Sequence, residues 1–294
     1  MSSVSEAYAD TVGPPADAWV IEPQREGVGA RAAELWRYRR VLWFLATRTV
    51  KDRYEGMSLG IFWLFARPLL PILVGGFVFG GVLGLPSDGV PFILFFMTGS
   101  VPWTLFDRGV LWGTKCLNQH KGLMKKLYFP RLISPMASIA PAAADFVIYM
   151  ILLFGLGLFY YVKDGVMYLR LGPTLIVAVL TSVLAVFCAL SVIFWTCVFQ
   201  ARHAETRFTL RYFMQFWMYL TPVFYPISSV PPEHRWIVYL NPMASVVATF
   251  RWAMIGVGEL PLVPLAMSIV IASLDMALGI WFFASSESST IDRL

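Results

Sequence analysis

The stretch at residues 172–199, GPTLIVAVLTSVLAVFCALSVIFWTCVF, has no charged side chain and is long enough to cross a lipid bilayer as a helix. About 20 apolar residues in a helix traverse the roughly 30 Å hydrocarbon layer. The rest of the chain is similar, because 58% of its 294 residues are hydrophobic and only 14% are charged. Soluble domains have about 25% charged residues. We therefore predict an all-α integral membrane protein, and the composition excludes a soluble enzyme, a nucleic-acid-binding protein and a disordered chain.

Six stretches of the sequence are predicted to form transmembrane helices. Each provides about 20 predominantly apolar residues, except that the fifth is interrupted by Pro222. An even number of crossings places both termini on the same side of the membrane. The approximate limits of the six spans are residues 60–85, 91–114, 134–162, 172–199, 208–222 and 260–284.

The positions of the basic residues predict the orientation. Most of the 23 Lys and Arg residues lie before the first span, at its base, in the loops after the second and fourth spans, or at the C-terminus. Cytoplasmic loops of membrane proteins are rich in Lys and Arg, so we expect the N- and C-termini in the cytoplasm. The opposite loops contain only Lys163, Arg170, Arg235 and Arg251.

The residues before the first span fall into two parts. Residues 1–30 are polar and lack the basic start and apolar core of a secretory signal, so we predict a disordered cytoplasmic tail. Residues 31–54 repeat at helical spacing, which predicts an amphipathic helix in the membrane interface. The alternative is an ordinary cytoplasmic helix packed on a neighbour. The apolar face contains Leu35, Trp36, Leu42, Trp43, Ala46 and Val50, and the basic face contains Arg37, Arg40, Arg48 and Lys51.

Residues 208–259 are apolar but broken by prolines. As a helix, residues 208–221 cover about 21 Å before Pro222, which is less than a full crossing. A second apolar piece, residues 236–258, is interrupted at Asn241-Pro242 and contains Arg251, which would cost a few kcal/mol in mid-membrane. We therefore predict a re-entrant hairpin between spans five and six that dips in from the external face. The alternative is a plain external loop with two surface helices.

The predicted cytoplasmic loop at residues 116–131 combines basic residues with an apolar cluster of Leu127, Tyr128 and Phe129, which we expect to be exposed. A loop that only determines topology needs the charges but not the aromatic residues. The combination favours a short helix that docks into a groove of a partner protein. The alternative is a loop that lies on lipid headgroups.

Four ionisable residues, Asp107, Arg108, Asp145 and Asp275, lie within or at the edges of the predicted spans. Such residues usually face the interior of a helix bundle and pair with one another. We expect Asp107 or Asp145 to pair with a neighbouring arginine. A proton relay is the alternative.

Signals for chemistry in this chain are weak. The phosphate-binding pattern G-x-x-x-x-G-K-[ST] and the zinc-binding pattern H-E-x-x-H are absent. The three histidines are far apart in predicted loops, and the three cysteines have no C-x-x-C spacing. We therefore predict no catalytic residues, metal site or cofactor here, and expect another subunit or an ion gradient to supply energy.

Several motifs occur in order along residues 31–284. They are KDRY at 51–54 with SLGIFW at 58–63 and RPL at 67–69, then GSVPW at 99–103, KKLYFPR at 125–131, LTPVFYP at 220–226, and LNPM at 240–243 followed by Phe250-Arg251. Together they resemble the type-2 ABC exporter permeases, in the branch that exports O-antigen, teichoic acid, galactan and related polysaccharides. The N-terminal tail and the serine-rich end at 284–290 depart from the family pattern.

The resemblance implies a transport subunit rather than an enzyme. Residues 31–294 would be a transmembrane permease domain of the cytoplasmic (inner) membrane that pairs with a second copy of itself. Two cytoplasmic ABC ATPase subunits would bind ATP and Mg, and a lipid-linked polysaccharide, such as the O-antigen of lipopolysaccharide, would pass through the channel between the copies. The implied ATPase-coupling loop consists of Lys125, Lys126, Leu127, Tyr128, Phe129, Pro130 and Arg131.

Aromatic side chains are candidates for the channel wall, because sugar C–H faces stack on rings. The channel and gate candidates are Trp63, Phe216, Tyr219, Pro222, Phe224, Tyr225 and Arg251. Three other functions stay open: export of a drug or lipid by the same fold, a membrane-embedded transferase acting on a lipid-linked sugar, and a gradient-driven carrier.

Overall fold

The computed structural model describes residues 34, 36–55, 60–126 and 129–286, and these residues form helices and connecting turns without a β-strand. The chain divides into two units, Met1–Arg37 and Tyr38–Leu294, and every helix named below belongs to the second. The predicted tail at residues 1–30 and the serine-rich end from residue 287 onwards lie outside the described residues.

The helices of the described residues are named in chain order. Helix α2 continues directly into a π-helix, Gly76–Val82, and 3-10 turns at Ile227–Ser229 and Pro232–His234 precede α9. The α-helices are α1 (Arg39–Tyr54), α2 (Gly60–Gly75), α3 (Phe92–Gly113), α4 (Cys116–Met124), α5 (Ile133–Ala137), α6 (Ala140–Asp164), α7 (Thr174–Arg202), α8 (Thr206–Leu220), α9 (Arg235–Tyr239), α10 (Pro242–Ile255) and α11 (Leu262–Ser285).

Four helical segments are long and apolar enough to cross a membrane. They are Phe62–Val82, Ile133–Asp164, Thr174–Arg202 and Leu262–Ser285, and they correspond to the first, third, fourth and sixth predicted spans. The 22 residues of α3 include Asp107 and Arg108, and the 15 residues of α8 end at the predicted break. The protein is therefore a multi-pass helical membrane protein, and the second and fifth crossings stay predictions.

The centre of the bundle is formed by α3, α7 and α10. Most residues of α3 and α10 are buried, and α7 packs against both as well as against α11. The outer helices α6 and α11 have apolar faces that are exposed along their length, including Val147, Leu158, Val270 and Trp281. Apolar faces of this extent fit a lipid environment, because soluble proteins rarely leave such large apolar patches in contact with water.

Helix α1 lies against α5 and α6, and its packing face overlaps the predicted apolar face, because Leu42, Ala46 and Val50 are half-buried. Its buried residues are Leu45 and Thr49, whereas Trp43 is 71% exposed and Phe44 is 54% exposed. An exposed aromatic pair beside basic residues is typical of a helix in a membrane interface. Trp43 of the predicted apolar face is thus exposed beside the packing residues, and the position of α1 in the membrane interface stays a prediction.

Candidate functional site

A buried cluster of charged side chains joins α1 to α3 and α6. Oδ2 of Asp145 in α6 accepts hydrogen bonds from Nη2 of Arg53 at 2.5 Å and from Nη1 of Arg108 at 2.6 Å. The other carboxylate oxygen, Oδ1, accepts from the hydroxyl of Tyr54 at 2.8 Å. The side chains of Asp145 and Arg53 are only 6% and 8% exposed. One carboxylate thus ties the end of α1 to two other helices, and the predicted pairing of Asp145 with an arginine is confirmed.

The same cluster has an excess of positive charge. Arg53 and Arg108 share one carboxylate, and Nε and Nη1 of Arg53 are buried without a hydrogen-bond partner in the described part of the chain. The Arg53 guanidinium carbon lies 4.6 Å from the centre of the Trp112 ring, whose negative face partly compensates the charge. Burial and the hydrogen bond to Asp145 raise the pKa of Tyr54 to about 12, so its hydroxyl stays protonated and donates.

The other two intramembrane aspartates are bound differently. Asp275 accepts a hydrogen bond from Nε1 of Trp195 at 3.1 Å. Asp107 is in no ion pair within residues 36–55, 60–126 and 129–286. Asp275 and Asp145 therefore have different partners, which lie in α7 for Asp275 and in α1 and α3 for Asp145.

A cleft opens beside the Asp145 cluster, between α1 and the beginning of α2. Its empty space, including the open side, is about 230 Å³. Arg67 is exposed there, and no acidic side chain among the described residues forms an ion pair with it. The lining residues are Arg53, Tyr54, Trp63, Leu64, Arg67, Pro68, Arg108 and Asp145. The predicted channel residue Trp63 is therefore half-buried in this cleft.

The predicted coupling segment is described only in part. Lys125 and Lys126 are exposed after the end of α4, and Leu127 and Tyr128 lie outside the described residues. Phe129 is only 5% exposed, so the exposure expected for its ring is wrong. Pro130 and Arg131 of the same segment are half-buried. Burial of the Phe129 ring stabilises the folded chain, because transfer of an aromatic ring out of water is favourable.

Helices α4 and α5 flank the coupling segment and are joined by one side-chain hydrogen bond. Nδ1 of His120 lies 2.7 Å from Oγ of Ser134, and both side chains are buried. Burial lowers the pKa of His120, so the ring is neutral at pH 7. This contact holds the end of α4 and the start of α5 together on either side of the coupling segment.

The predicted gate residue Arg251 lies in the interior of the bundle rather than on its surface. Its side chain donates from Nη2 to the carbonyl oxygen of Val223 at 3.0 Å, and its guanidinium carbon lies 3.8 Å from the centre of the Phe95 ring. Within the described residues no carboxylate forms an ion pair with it. A side chain at Gly99 would collide with this guanidinium, so the glycine in α3 makes room for it.

Two proline-containing turns meet beside Arg251. Nδ2 of Asn241 donates to Oγ1 of Thr221 at 2.8 Å, and Oδ1 of Asn241 accepts from the backbone N–H of Met243 at 3.0 Å as the N-cap of α10. The Thr221-Pro222 break after α8 and the Asn241-Pro242 start of α10 are therefore held together directly. Pro222 itself is buried.

The aromatic gate candidates separate into two groups. Phe224 is half-buried, and its ring centre lies 4.8 Å from Phe79, 5.1 Å from Phe96 and 5.4 Å from Tyr219. Tyr225 is also half-buried and donates its hydroxyl to the Leu220 carbonyl at 3.5 Å. Phe216 and Tyr219 of α8, in contrast, are 70% and 61% exposed.

Helix α8 has an exposed aromatic face opposite its packing face. Leu210 and Met214 are its buried residues, and Trp217 packs edge-on against Phe106 of α3. The opposite face differs from those of α6 and α11 because it combines rings with hydroxyl and amide groups. At i, i+4, i+7, i+8 and i+11 it presents Phe208, Tyr212, Gln215, Phe216 and Tyr219, all of them exposed.

Comparison with known proteins identifies the family. Residues 40–255 match the ABC-2 type transporter family, and since this match covers most of the chain, the chain belongs to that family. It is therefore a transmembrane transport subunit and not an enzyme, and ATP hydrolysis belongs to a separate subunit.

Three curated relatives of the chain are O-antigen export permeases from two bacterial species. The O-antigen export system permease protein RfbA of Myxococcus xanthus is 29% identical over 220 residues, which cover 74% of this chain and 81% of the relative. Two proteins of the same name from Klebsiella pneumoniae are 25% and 27% identical, each over 70% of this chain and 77% of the relative.

The cleft and the cluster were only partly visible in the sequence. The charges of Arg108 and Asp145 inside apolar stretches indicated pairing, but nothing in the spacing indicated that Arg53 and Tyr54 would join them. The contact of Asn241 with Thr221 was likewise missed. In each case the partners lie in distant parts of the chain, and the signal that could have found them is a polar residue beside a proline or inside an apolar run.

Proposed function

We propose that this chain is the channel-forming subunit of an ATP-driven exporter that moves a lipid-linked polysaccharide, of the O-antigen class, across the cytoplasmic membrane. Membership of the ABC-2 type transporter family and three relatives named as O-antigen export permeases support this cargo. The observation that carries the proposal is the exposed face of α8, because its rings and hydroxyls match a sugar chain better than they match lipid tails.

In the proposed topology the chain crosses the membrane six times. The four clear spans are joined by α3 and by α8, and both termini lie in the cytoplasm with most of the basic residues. Helices α9 and α10 form a re-entrant hairpin from the external face. The burial of α10 among α3, α7 and α11 supports this arrangement, because broken backbone at membrane depth needs protein around it.

The proposed channel lies between two copies of this chain. A single α8 presents Tyr212, Gln215, Phe216 and Tyr219 on an open surface, which encloses nothing by itself. A second copy facing it would close a tube with two such walls. Phe224 and the Arg251–Val223 contact lie at the end of α8, where they would form the outer gate.

Two cytoplasmic ABC ATPase subunits would drive the channel. We place their docking site at residues 125–131, which begin with exposed Lys125 and Lys126, and along α1. Movement of α1 would reach α3 and α6 directly, because Asp145 of α6 binds Arg53 of α1 and Arg108 of α3. ATP and Mg would be bound by the ATPase, so that this chain needs no cofactor, metal or nucleic acid of its own.

The channel proposal is tested by removing two rings from the exposed face of α8. In cells that lack the native protein, Phe216→Ala with Tyr219→Ala should export polysaccharide about tenfold more slowly, because two ring contacts of about 0.5–1.5 kcal/mol each are lost. The matched control is Trp281→Ala, which removes a 66% exposed ring from α11. Surface polysaccharide is measured by immunoblotting at equal protein levels.

The possible outcomes test two claims separately, that α8 lines the channel and that the cargo is a polysaccharide. Equal export by the α8 double variant and the Trp281→Ala control would show that α8 does not line the channel. Unchanged surface polysaccharide in cells without the protein, together with accumulation of a drug or lipid inside them, would contradict the proposed cargo and favour the alternative exporter.

A further inference from the structure

Helix α11 has a carboxylate near the middle of its length. Asp275 is the fourteenth of the 24 residues of Leu262–Ser285. At 1.5 Å per residue, its Cα lies about 2 Å from the centre of the helix along the axis. This helix is one of the four that are long and apolar enough to cross a membrane. A polar or charged side chain at this depth is costly unless a partner satisfies it, and such residues usually mark a functional contact.

The chain itself satisfies only one oxygen of the Asp275 carboxylate. Oδ1 accepts a hydrogen bond from Nε1 of Trp195 in α7 at 3.1 Å. Within the part of the chain that the structure describes, Oδ2 has no hydrogen-bond partner. The two helices approach closely here because Gly279 has no side chain, and a Cβ at that position would lie 3.1 Å from Nε1 of Trp195. The contact between α7 and α11 therefore positions the carboxylate and leaves Oδ2 available to a donor from another molecule.

The available oxygen can be reached from outside the bundle. Asp275 is half-buried, and Oδ2 is not among the polar atoms that the described residues enclose without a partner. Leu274 and Leu278 beside it are 61% and 55% exposed. Lipid headgroups do not reach the centre of a hydrocarbon layer that is roughly 30 Å thick. The donor that Oδ2 needs must therefore come from another protein segment inside the membrane.

The outer face of α11 is a different surface from the proposed channel wall. Helix α8, whose exposed face would meet the second copy of this chain, packs on α3 and α7, whereas α11 packs on α7 and α10. A partner at α11 therefore need not be the second copy. Because a membrane-spanning helix satisfies its own backbone groups, the donor must be a side chain. A Lys or Arg side chain has the complementary charge, and charged donors form the strongest hydrogen bonds to a carboxylate.

We propose that Asp275 and Trp195 form a docking site for a transmembrane helix of a partner protein that presents a Lys or Arg side chain at mid-span. The ammonium or guanidinium group would donate to Oδ2, while apolar side chains of the partner pack on Leu274 and Leu278. The partner would be an accessory membrane subunit bound to the outer face of α11. This site goes beyond the export function, since it does not depend on which cargo is moved.

The test measures helix binding to the purified full-length protein in phosphatidylcholine nanodiscs. The probes are peptides of about 20 residues of leucine and alanine that differ only in the central residue, which is lysine, leucine or glutamate. Each peptide has a dansyl group that receives energy from the tryptophans of the protein. The lysine peptide should bind about tenfold more tightly than the leucine peptide, because it adds a charge-assisted hydrogen bond in the membrane. The glutamate peptide should bind no more tightly than the leucine peptide.

The decisive variant is Asp275→Asn. Asparagine keeps the size of the side chain and an oxygen that can accept from Trp195, but it removes the negative charge. The variant should bind the lysine peptide only as tightly as the leucine peptide, and Asp275→Glu should restore part of the difference. The matched control is Asp164→Asn, which removes the same charge at the exposed end of α6 and should bind like the wild type. Elution volumes and melting temperatures of the variants check that the fold is intact.

Three results would overturn the docking site. The first is equal binding of the lysine and leucine peptides to the wild type, and the second is equal binding of the lysine peptide to the wild type and to Asp275→Asn. The third is a wild-type dimer that does not bind the lysine peptide and becomes a monomer on Asp275→Asn, since the second copy would then occupy the site. Neither ATPase nor polysaccharide is present, so a failure here leaves the export test unaffected.

Discussion

Two buried arginine sites at opposite ends of the bundle are built on different principles. Beside α1, Arg53 and Arg108 bind the carboxylate of Asp145 at 2.5 and 2.6 Å. At the end of α8, Arg251 has no carboxylate partner in the described residues and is held by the Val223 carbonyl and the face of Phe95. Both sites join three segments of the chain, but only the first uses an opposite charge.

The difference indicates different uses. The Arg251 guanidinium is enclosed by the Phe95 ring, the Val223 carbonyl and Gly99, which has no side chain. Its surroundings therefore hold it in one conformation. The Asp145 cluster borders a cleft and places the guanidinium groups of Arg53 and Arg108 against one carboxylate. We therefore expect packing to stabilise the Arg251 site and charge to stabilise the Asp145 cluster.

The largest effect is expected from Asp145→Ala. The change leaves Arg53 and Arg108 buried without their shared carboxylate, and breaking a buried ion pair costs about 3–5 kcal/mol. The melting temperature of the purified protein should fall strongly. Asp164→Ala, at the exposed end of α6, is the control and should melt like the wild type. Equal melting temperatures for the two variants would contradict the electrostatic account of the cluster.

A smaller effect is expected from Gly99→Ala at the Arg251 site. The new methyl group collides with the guanidinium and lies 3.0 Å from the Val223 carbonyl oxygen, and overpacking of this kind costs about 1–3 kcal/mol. The matched control is Gly155→Ala, since nothing lies within 4 Å of that position in α6. Gly155→Ala should be neutral or slightly stabilising, because alanine favours a helix. A Gly99→Ala protein as stable as this control would show that Arg251 is not tightly packed against Gly99.

The smallest effect is a dependence on pH at His120. Its pKa in the folded protein is lowered from the usual 6.5 by burial, so the unfolded chain binds a proton more readily than the folded one. The stability from this group is therefore complete above about pH 6.5 and declines as the pH falls below it. His120→Gln should flatten the profile of melting temperature between pH 5 and 7.5. An unchanged profile would mean that other groups determine it.

The order of the helices was predictable because apolar length and proline positions are local properties of the sequence. The four clear spans agree with the predicted ones to within a few residues at each end, and the break between α8 and α10 falls at Pro222 and Asn241-Pro242 as expected. A helix that crosses a membrane must satisfy its own backbone hydrogen bonds, so its extent is recorded in its own residues.

The packing partners were less predictable because they depend on distant parts of the chain. Phe129 was expected on the surface with its neighbours, yet its side chain is buried. The packing side of α1 is marked by Leu45 and Thr49, whereas the largest apolar side chains, such as Trp43, point elsewhere. In a membrane interface an exposed aromatic ring costs little, so hydrophobicity alone does not distinguish a packing face from a lipid face.

The central claim is that this chain and an ABC ATPase move a lipid-linked polysaccharide outward. The most direct measurement reconstitutes the chain with the ATPase that co-purifies with it, in vesicles whose cytoplasmic face points outward. Addition of ATP should carry the polysaccharide into the lumen and protect it from an added glycosidase. Hydrolysis of ATP with the polysaccharide still fully sensitive to the glycosidase would contradict the account.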